Sequence, residues 1–171
     1  MKLLKPTKIN GIYWPKGTEA LWSDVYGVFV IHIFMFGTGA FIMAYSNKPA
    51  AVPALYAFGI FSIGMYLYNY INIFGLDEIK WMVINAALGG LSVYCQMDLL
   101  LSLFGRSVYN YPFYINAVPA SYFVIYTFLL RQVALDLTES RDDKVMRRRV
   151  EFMFTIISVS VSAVSFWLSR I

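Results

Sequence analysis

Apolar residues in this chain gather into five long runs that are separated by short polar breaks. The runs cover about residues 24–45, 53–74, 81–104, 117–135 and 150–170. A hydrocarbon core about 30 Å thick requires roughly 20 mostly apolar residues per helix, and each run meets that requirement. The breaks hold Gly, Pro or charged residues where a helix would end. The pattern predicts five transmembrane helices.

The amino-acid composition supports a lipid environment. Hydrophobic residues make up 59% of the 171-residue chain, and charged residues make up 14%. Soluble domains average about 25% charged residues, so this shortage of charge indicates that lipid is the main solvent. Five spans leave no room for a separate soluble domain. The sequence therefore predicts an all-α protein, a polytopic transmembrane helical bundle that forms one integral membrane domain over residues 1–171.

The distribution of Lys and Arg predicts the orientation of the bundle. With a cytoplasmic N-terminus, only Lys48, Arg106 and Arg170 of the 14 Lys and Arg residues fall outside. Because positive charge concentrates in cytoplasmic loops, the N-terminus is predicted inside and the C-terminus outside. The expected location is the inner membrane of a cell, with the inner membrane of an organelle as an alternative. Residues 1–23 mix aromatic and charged side chains and are predicted to lie along the inner interface.

The loop between the fourth and fifth spans is strongly basic. Two interpretations stay open: a solvated loop that only sets orientation, or a docking surface that also holds anionic lipid headgroups. Ser140 and Asp143 have the spacing of a capping pair, so the last helix is predicted to begin before the membrane. Arg131 is predicted to snorkel to water and Asp136 to pair with this loop. The predicted cytoplasmic basic surface consists of Arg141, Lys144, Arg147, Arg148 and Arg149.

A stripe of hydroxyl side chains runs along the fifth span. At about 100° per residue, alternating spacings of three and four place its members within roughly 80° of arc on one helix face. Small and polar residues support helix association in lipid, so packing is the more common role of such a face. The alternative is that the stripe lines a hydrated path. The stripe consists of Thr155, Ser158, Ser162, Ser165 and Ser169.

Two ionisable residues inside the predicted spans are candidates for a site. Asp98 is either a structural residue paired with Arg106 or Arg170, or a proton or cation site, because a carboxylate in lipid needs a partner or water. His32 is either hydrogen-bonded to a neighbouring helix, or a proton relay or cofactor ligand. The candidate intramembrane polar site consists of Asp98, Gln96, His32, Asn85 and Asn69.

The sequence contains no catalytic motif. A Gly-rich phosphate loop, a paired-histidine motif and a nucleophile elbow are all absent from it, so an enzyme acting alone is not predicted. No cofactor or metal is predicted, whereas bound lipid is expected. The expected partners are membrane lipids and other membrane subunits or copies of this chain. Nucleic acid is not expected, because the net charge of +4 reflects the loop topology.

Two functions fit these features best, and a regulator that acts through the basic loop between the fourth and fifth spans is a weaker third interpretation. The first is a non-catalytic accessory or scaffold subunit of a larger membrane complex, since many small multi-pass proteins work inside assemblies. The second is a small oligomeric channel or transporter, in which symmetry multiplies the polar groups around Asp98 into a conduit. The sequence favours the accessory or scaffold subunit, because one intramembrane Asp and one His are few ionisable groups for a transport pathway.

Overall fold

The protein folds into long helices preceded by a short β-hairpin. A computed structural model describes residues 6–9 and 12–168, with the side chains of 7–9, 12, 22, 77 and 82–92 outside that description. In chain order, the elements are β1 (Thr7–Ile9), β2 (Ile12–Trp14), α1 (Trp22–His32), a π-helical segment (Ile33–Gly37), α2 (Thr38–Tyr45), α3 (Val52–Phe74), α4 (Ile79–Ser102), α5 (Phe113–Leu137) and α6 (Lys144–Leu168). Single-turn 3-10 helices cover Leu76–Glu78 and Val108–Asn110.

The contacts of the chain divide it into two compact units. The N-terminal unit is Met1–Trp81, and the C-terminal unit is Met82–Ile171. A single domain over residues 1–171 stays a prediction.

Aromatic side chains hold the N-terminal unit together. The ring of Phe29 in α1 lies 5.1 Å from that of Tyr66 and 6.1 Å from that of Tyr70, both in α3. Further along, the ring of Phe36 lies 5.7 Å from that of Phe58. The contacts run in opposite order along the two helical segments, which therefore pack antiparallel. Aromatic pairs of this kind contribute about 0.5–1.5 kcal/mol each beyond the area that they bury.

In the C-terminal unit, α5 and α6 pack against each other as a helical hairpin. Residues 138–143 join them, and residues 103–112 connect α4 to α5. On the packed side of α6, Ser158 and Ser162 are half-buried and Ser165 is buried. The hairpin places the C-terminal end of α5 beside the N-terminal end of α6, which is where most of the polar contacts of this pair lie.

The prediction of an all-helical fold is confirmed, apart from the short β-hairpin. Among the described residues, four helical segments are long and apolar enough to cross a membrane: Ser23–Tyr45, Val52–Phe74, Phe113–Leu137 and Lys144–Leu168. The third predicted span, 81–104, falls on α4, which has 24 residues but whose side chains at 82–92 lie outside the description. The count of five spans and the orientation of the termini therefore stay predictions.

The predicted capping pair at the start of the last helix is wrong in its details. Asp143 caps α6 alone, because its Oδ1 accepts hydrogen bonds from the backbone N–H groups of Val145 at 2.8 Å and Met146 at 3.1 Å. The Ser140 hydroxyl is buried and donates to the Leu135 carbonyl at 3.3 Å, so it closes the end of α5 instead. The helix does begin several residues before the apolar run at 150, as predicted.

Candidate functional site

Asp98, the strongest site candidate in the sequence, forms hydrogen bonds that hold the loop 103–112 against the end of α4. Its Oδ1 accepts a hydrogen bond from the Ser107 hydroxyl at 2.6 Å and another from the Val108 backbone N–H at 2.9 Å. Val108 is fully buried, so its N–H has no access to water. A buried donor that loses its acceptor costs free energy, and the carboxylate of Asp98 supplies that acceptor.

A second polar residue, Asn116, forms hydrogen bonds that hold the same loop against α5. The Asn116 side-chain amide donates to the backbone carbonyls of Val108 at 3.1 Å and Tyr111 at 3.2 Å. Asn116 is almost fully buried. Its position directly after the aromatic loop, in an apolar stretch, was the available signal, but the sequence analysis did not select it. Asp98 and Asn116 together hold residues 103–112 between the two helices.

The grouping of the other predicted polar-site residues around Asp98 stays a prediction. Gln96 precedes Asp98 by two residues, or about 200° around the helix, so the two side chains leave α4 on different sides. The side chain of Asn85 lies outside the described residues. Asn69 belongs to the N-terminal unit, where its amide donates to the Met65 carbonyl of its own helix at 3.1 Å. Of the guanidinium partners proposed for Asp98, Arg170 also lies outside the description.

His32 is buried in the aromatic core of the N-terminal unit. Its ring centroid lies 4.5 Å from that of Phe36 and 5.7 Å from that of Tyr66, and the imidazole contacts the backbone of Ser62. Its Nε2 has no hydrogen-bond partner among the described atoms. The π-helical segment begins at the next residue, and such segments are frequent near functional sites. Among the described residues, no group of three or more His, Cys, Asp or Glu side chains could hold a metal ion.

A buried ion pair joins α5 to α6 and was missed by the sequence analysis. Glu151 Oε1 accepts from Nη2 of Arg131 and, at 3.1 Å, from Nε of Arg147. The Arg131 side chain is 2% exposed and the Glu151 side chain is 14% exposed. The prediction that Arg131 snorkels to water is therefore wrong, because Glu151 from the neighbouring helix neutralises it in place. No local pattern links residues that are 20 positions apart.

The predicted basic surface divides into residues with acidic partners and residues that face open space. Arg141 pairs with Asp136 at 2.6 Å, in agreement with the pairing that the sequence predicted for Asp136, and Arg147 pairs with Glu151. Lys144, Arg148 and Arg149 instead line an open groove of about 510 Å³ on α6. Val145 and Phe152 complete the lining of this groove, and all five lining residues are exposed.

The hydroxyl stripe of α6 lies partly on its packed side. Thr155 is exposed and donates to the Glu151 carbonyl at 2.9 Å, while Ser162 donates to the Ser158 carbonyl at 2.5 Å. These hydroxyls are therefore satisfied within their own helix, as Ser and Thr can be in lipid. Ser169 lies outside the described residues. The role of the stripe in helix packing stays a prediction.

No protein family, curated protein or solved structure matches this chain.

Proposed function

We propose that this protein is a multi-pass membrane protein that serves as a non-catalytic accessory or scaffold subunit of a larger membrane complex. Four apolar helices are compatible with a membrane protein. The observation that carries the subunit proposal is the coverage of α6, in which Ser165 is the one buried residue among those described. A helix that is so little covered by its own chain leaves most of its apolar surface available for contact with a partner helix.

The hydrogen bonds of Asp98 support this proposal over a conduit. A site that conducts ions or protons needs a carboxylate that exchanges partners with water or with the transported ion. The Oδ1 of Asp98 instead holds the Ser107 hydroxyl and the buried Val108 N–H. The channel or transporter function is therefore the weaker candidate.

Purification in mild detergent tests the subunit proposal. The full chain should elute with different membrane proteins in a fixed ratio, and those proteins should be identified by mass spectrometry. A closed ring of this chain alone would contradict the proposal and favour the conduit. The protein eluting as a monomer, with its fold intact and no companion, would also contradict it.

The packing role of the hydroxyl stripe predicts a difference between two neighbouring serines. Ser162→Leu should lower the free energy of unfolding by about 1–3 kcal/mol, because the added side-chain volume overpacks the contact with α5. Ser160→Leu is the matched control, since Ser160 is exposed on α6. Thermal unfolding of both variants in mild detergent measures the difference. Equal tolerance at the two positions would show that the stripe faces lipid.

The topology that we propose has five spans, with the N-terminus in the cytoplasm and the C-terminus outside. Single cysteines should be introduced at exposed positions in a background where the chain's one cysteine, Cys95, is replaced. An impermeant thiol reagent added outside should label a cysteine at Lys48 or Asn110 but spare one at Lys16 or Asp142. Labelling of Lys48 and Asp142 on the same side would contradict the proposed orientation.

A further inference from the structure

The groove at the start of α6 combines positive charge with an apolar lining. Lys144 and Arg148 are separated by four residues and lie above one another on the helix, and so do Val145 and Arg149. Phe152 lies four residues after Arg148 and three after Arg149, so it stands at the end of both rows. The groove therefore runs between these two rows and ends at an aromatic ring.

This groove lies where α6 passes from charged to apolar sequence. All the charged residues that the structure describes in α6 fall between Lys144 and Glu151, and the rest of the helix, to Leu168, is uncharged. If α6 spans the membrane, its charged first turns lie at the headgroup level and Phe152 lies at the edge of the hydrocarbon. A ligand in the groove would then contact water, headgroups and acyl chains at once.

The neighbouring polar groups are already engaged. Arg141 and Arg147 pair with acidic residues, and the carboxylate of Asp143 occupies the N-terminal amides of the helix. A ligand anion would therefore bind to the side chains of the groove and not to the helix terminus. Among the described residues, no acidic side chain pairs with Lys144, Arg148 or Arg149.

We propose that this groove binds one anionic phospholipid. The guanidinium groups of Arg148 and Arg149 hold the phosphate oxygens, because the planar donors of Arg match phosphate geometry, and Lys144 adds a third positive charge. Phe152, which lies deeper along the helix, packs against the glycerol and the first acyl carbons, while Val145 adds an apolar contact beside Lys144. The apolar side distinguishes this ligand from a soluble phosphate compound. The proposal holds with or without a partner subunit.

Native mass spectrometry of the full chain in mild detergent tests this site, with phosphatidylglycerol and phosphatidylcholine as probes. We expect the wild type to bind phosphatidylglycerol more tightly than phosphatidylcholine. The double variant Arg148→Gln with Arg149→Gln should bind phosphatidylglycerol about 25-fold more weakly, since each surface cation contributes about fivefold. Its affinity for phosphatidylcholine should not change. If the double variant does not fold, Lys144→Gln carries the same test, with an expected loss of about fivefold.

A charge-matched control separates the groove from net charge. The double variant Lys16→Gln with Lys48→Gln removes two exposed cations elsewhere and should leave phosphatidylglycerol binding unchanged. An equal loss in this control would overturn the proposed site. Phe152→Gln should also weaken phosphatidylglycerol binding, whereas a large excess of inorganic phosphate should not displace the lipid. Displacement by phosphate, or full binding by the groove variants, would overturn the proposal.

Discussion

Glu151→Gln should lower the free energy of unfolding by about 3 kcal/mol, because it removes the carboxylate charge that pairs with the buried Arg131 guanidinium. The structure places Arg131 almost entirely out of contact with solvent, and its partner comes from the neighbouring helix. Removing one partner of a buried pair typically costs about 3–5 kcal/mol. We expect the lower end, since Glu151 is partly exposed and glutamine keeps a hydrogen-bond acceptor. Equilibrium unfolding in mild detergent measures the change.

The rescue of this variant separates a buried charge from a general loss of packing. The double variant Arg131→Met with Glu151→Leu removes both charges and should be more stable than Glu151→Gln alone, since an apolar pair can replace a buried ion pair without loss. Glu139→Gln is the control, because Glu139 is exposed in the turn after α5, and it should change stability by less than about 0.5 kcal/mol. If Glu151→Gln is as stable as the wild type, the charge of Glu151 is not what stabilises the buried guanidinium of Arg131, and the prediction is wrong.

Asp98→Ala should lower the free energy of unfolding by about 2 kcal/mol. The substitution removes the acceptor of two hydrogen bonds, and the backbone N–H of Val108 is then left buried and unsatisfied. Asp98→Asn should cost less than about 1 kcal/mol, because its side-chain oxygen can accept both bonds. Ser107→Ala should fall between them, since the Val108 contact survives. Thermal unfolding of the three variants gives this order.

Asp98→Asn also discriminates between the scaffold function and the conduit function. If Asp98 is structural, Asp98→Asn should leave a folded protein that still elutes with its partners. If Asp98 belongs to a conduit, the variant should fold and assemble while losing ion flux in reconstituted vesicles. We expect the structural outcome. Wild-type flux that disappears in Asp98→Asn would instead establish the conduit.

The helices could be predicted from the sequence because their signal is local. The predicted first and second spans, 24–45 and 53–74, agree within one residue with the apolar helical segments Ser23–Tyr45 and Val52–Phe74. Hydropathy over about 20 residues is enough to predict a helix of that length in lipid. The π-helical segment Ile33–Gly37 inside the first span could not be predicted in this way. Its residues are as apolar as those of the flanking α-helix, and hydropathy does not distinguish the two helix types.

The polar contacts could not be predicted because they depend on how helices meet. Arg131 can pair with Glu151 only because the turn at 138–143 brings α6 back along α5. Asp98 bonds Ser107 and Val108 because the loop folds back onto the end of α4. The sequence analysis selected Asp98 as a residue that needs partners, but no local pattern indicated the Ser107 hydroxyl and the Val108 amide that it contacts.

The ion pair between α5 and α6 also bears on how the chain is made. Residue 131 leaves the ribosome before residue 151, so for some time the newly made α5 carries a positive charge without its counter-ion. Releasing a helix with an unpaired arginine into lipid costs up to roughly 3 kcal/mol for a charge at the helix centre and less toward the helix end, where Arg131 lies. The cost falls once Glu151 arrives, which favours entry of the two helices together as a preassembled hairpin. Comparing the inserted fraction of newly synthesised wild type and Glu151→Gln measures this coupling.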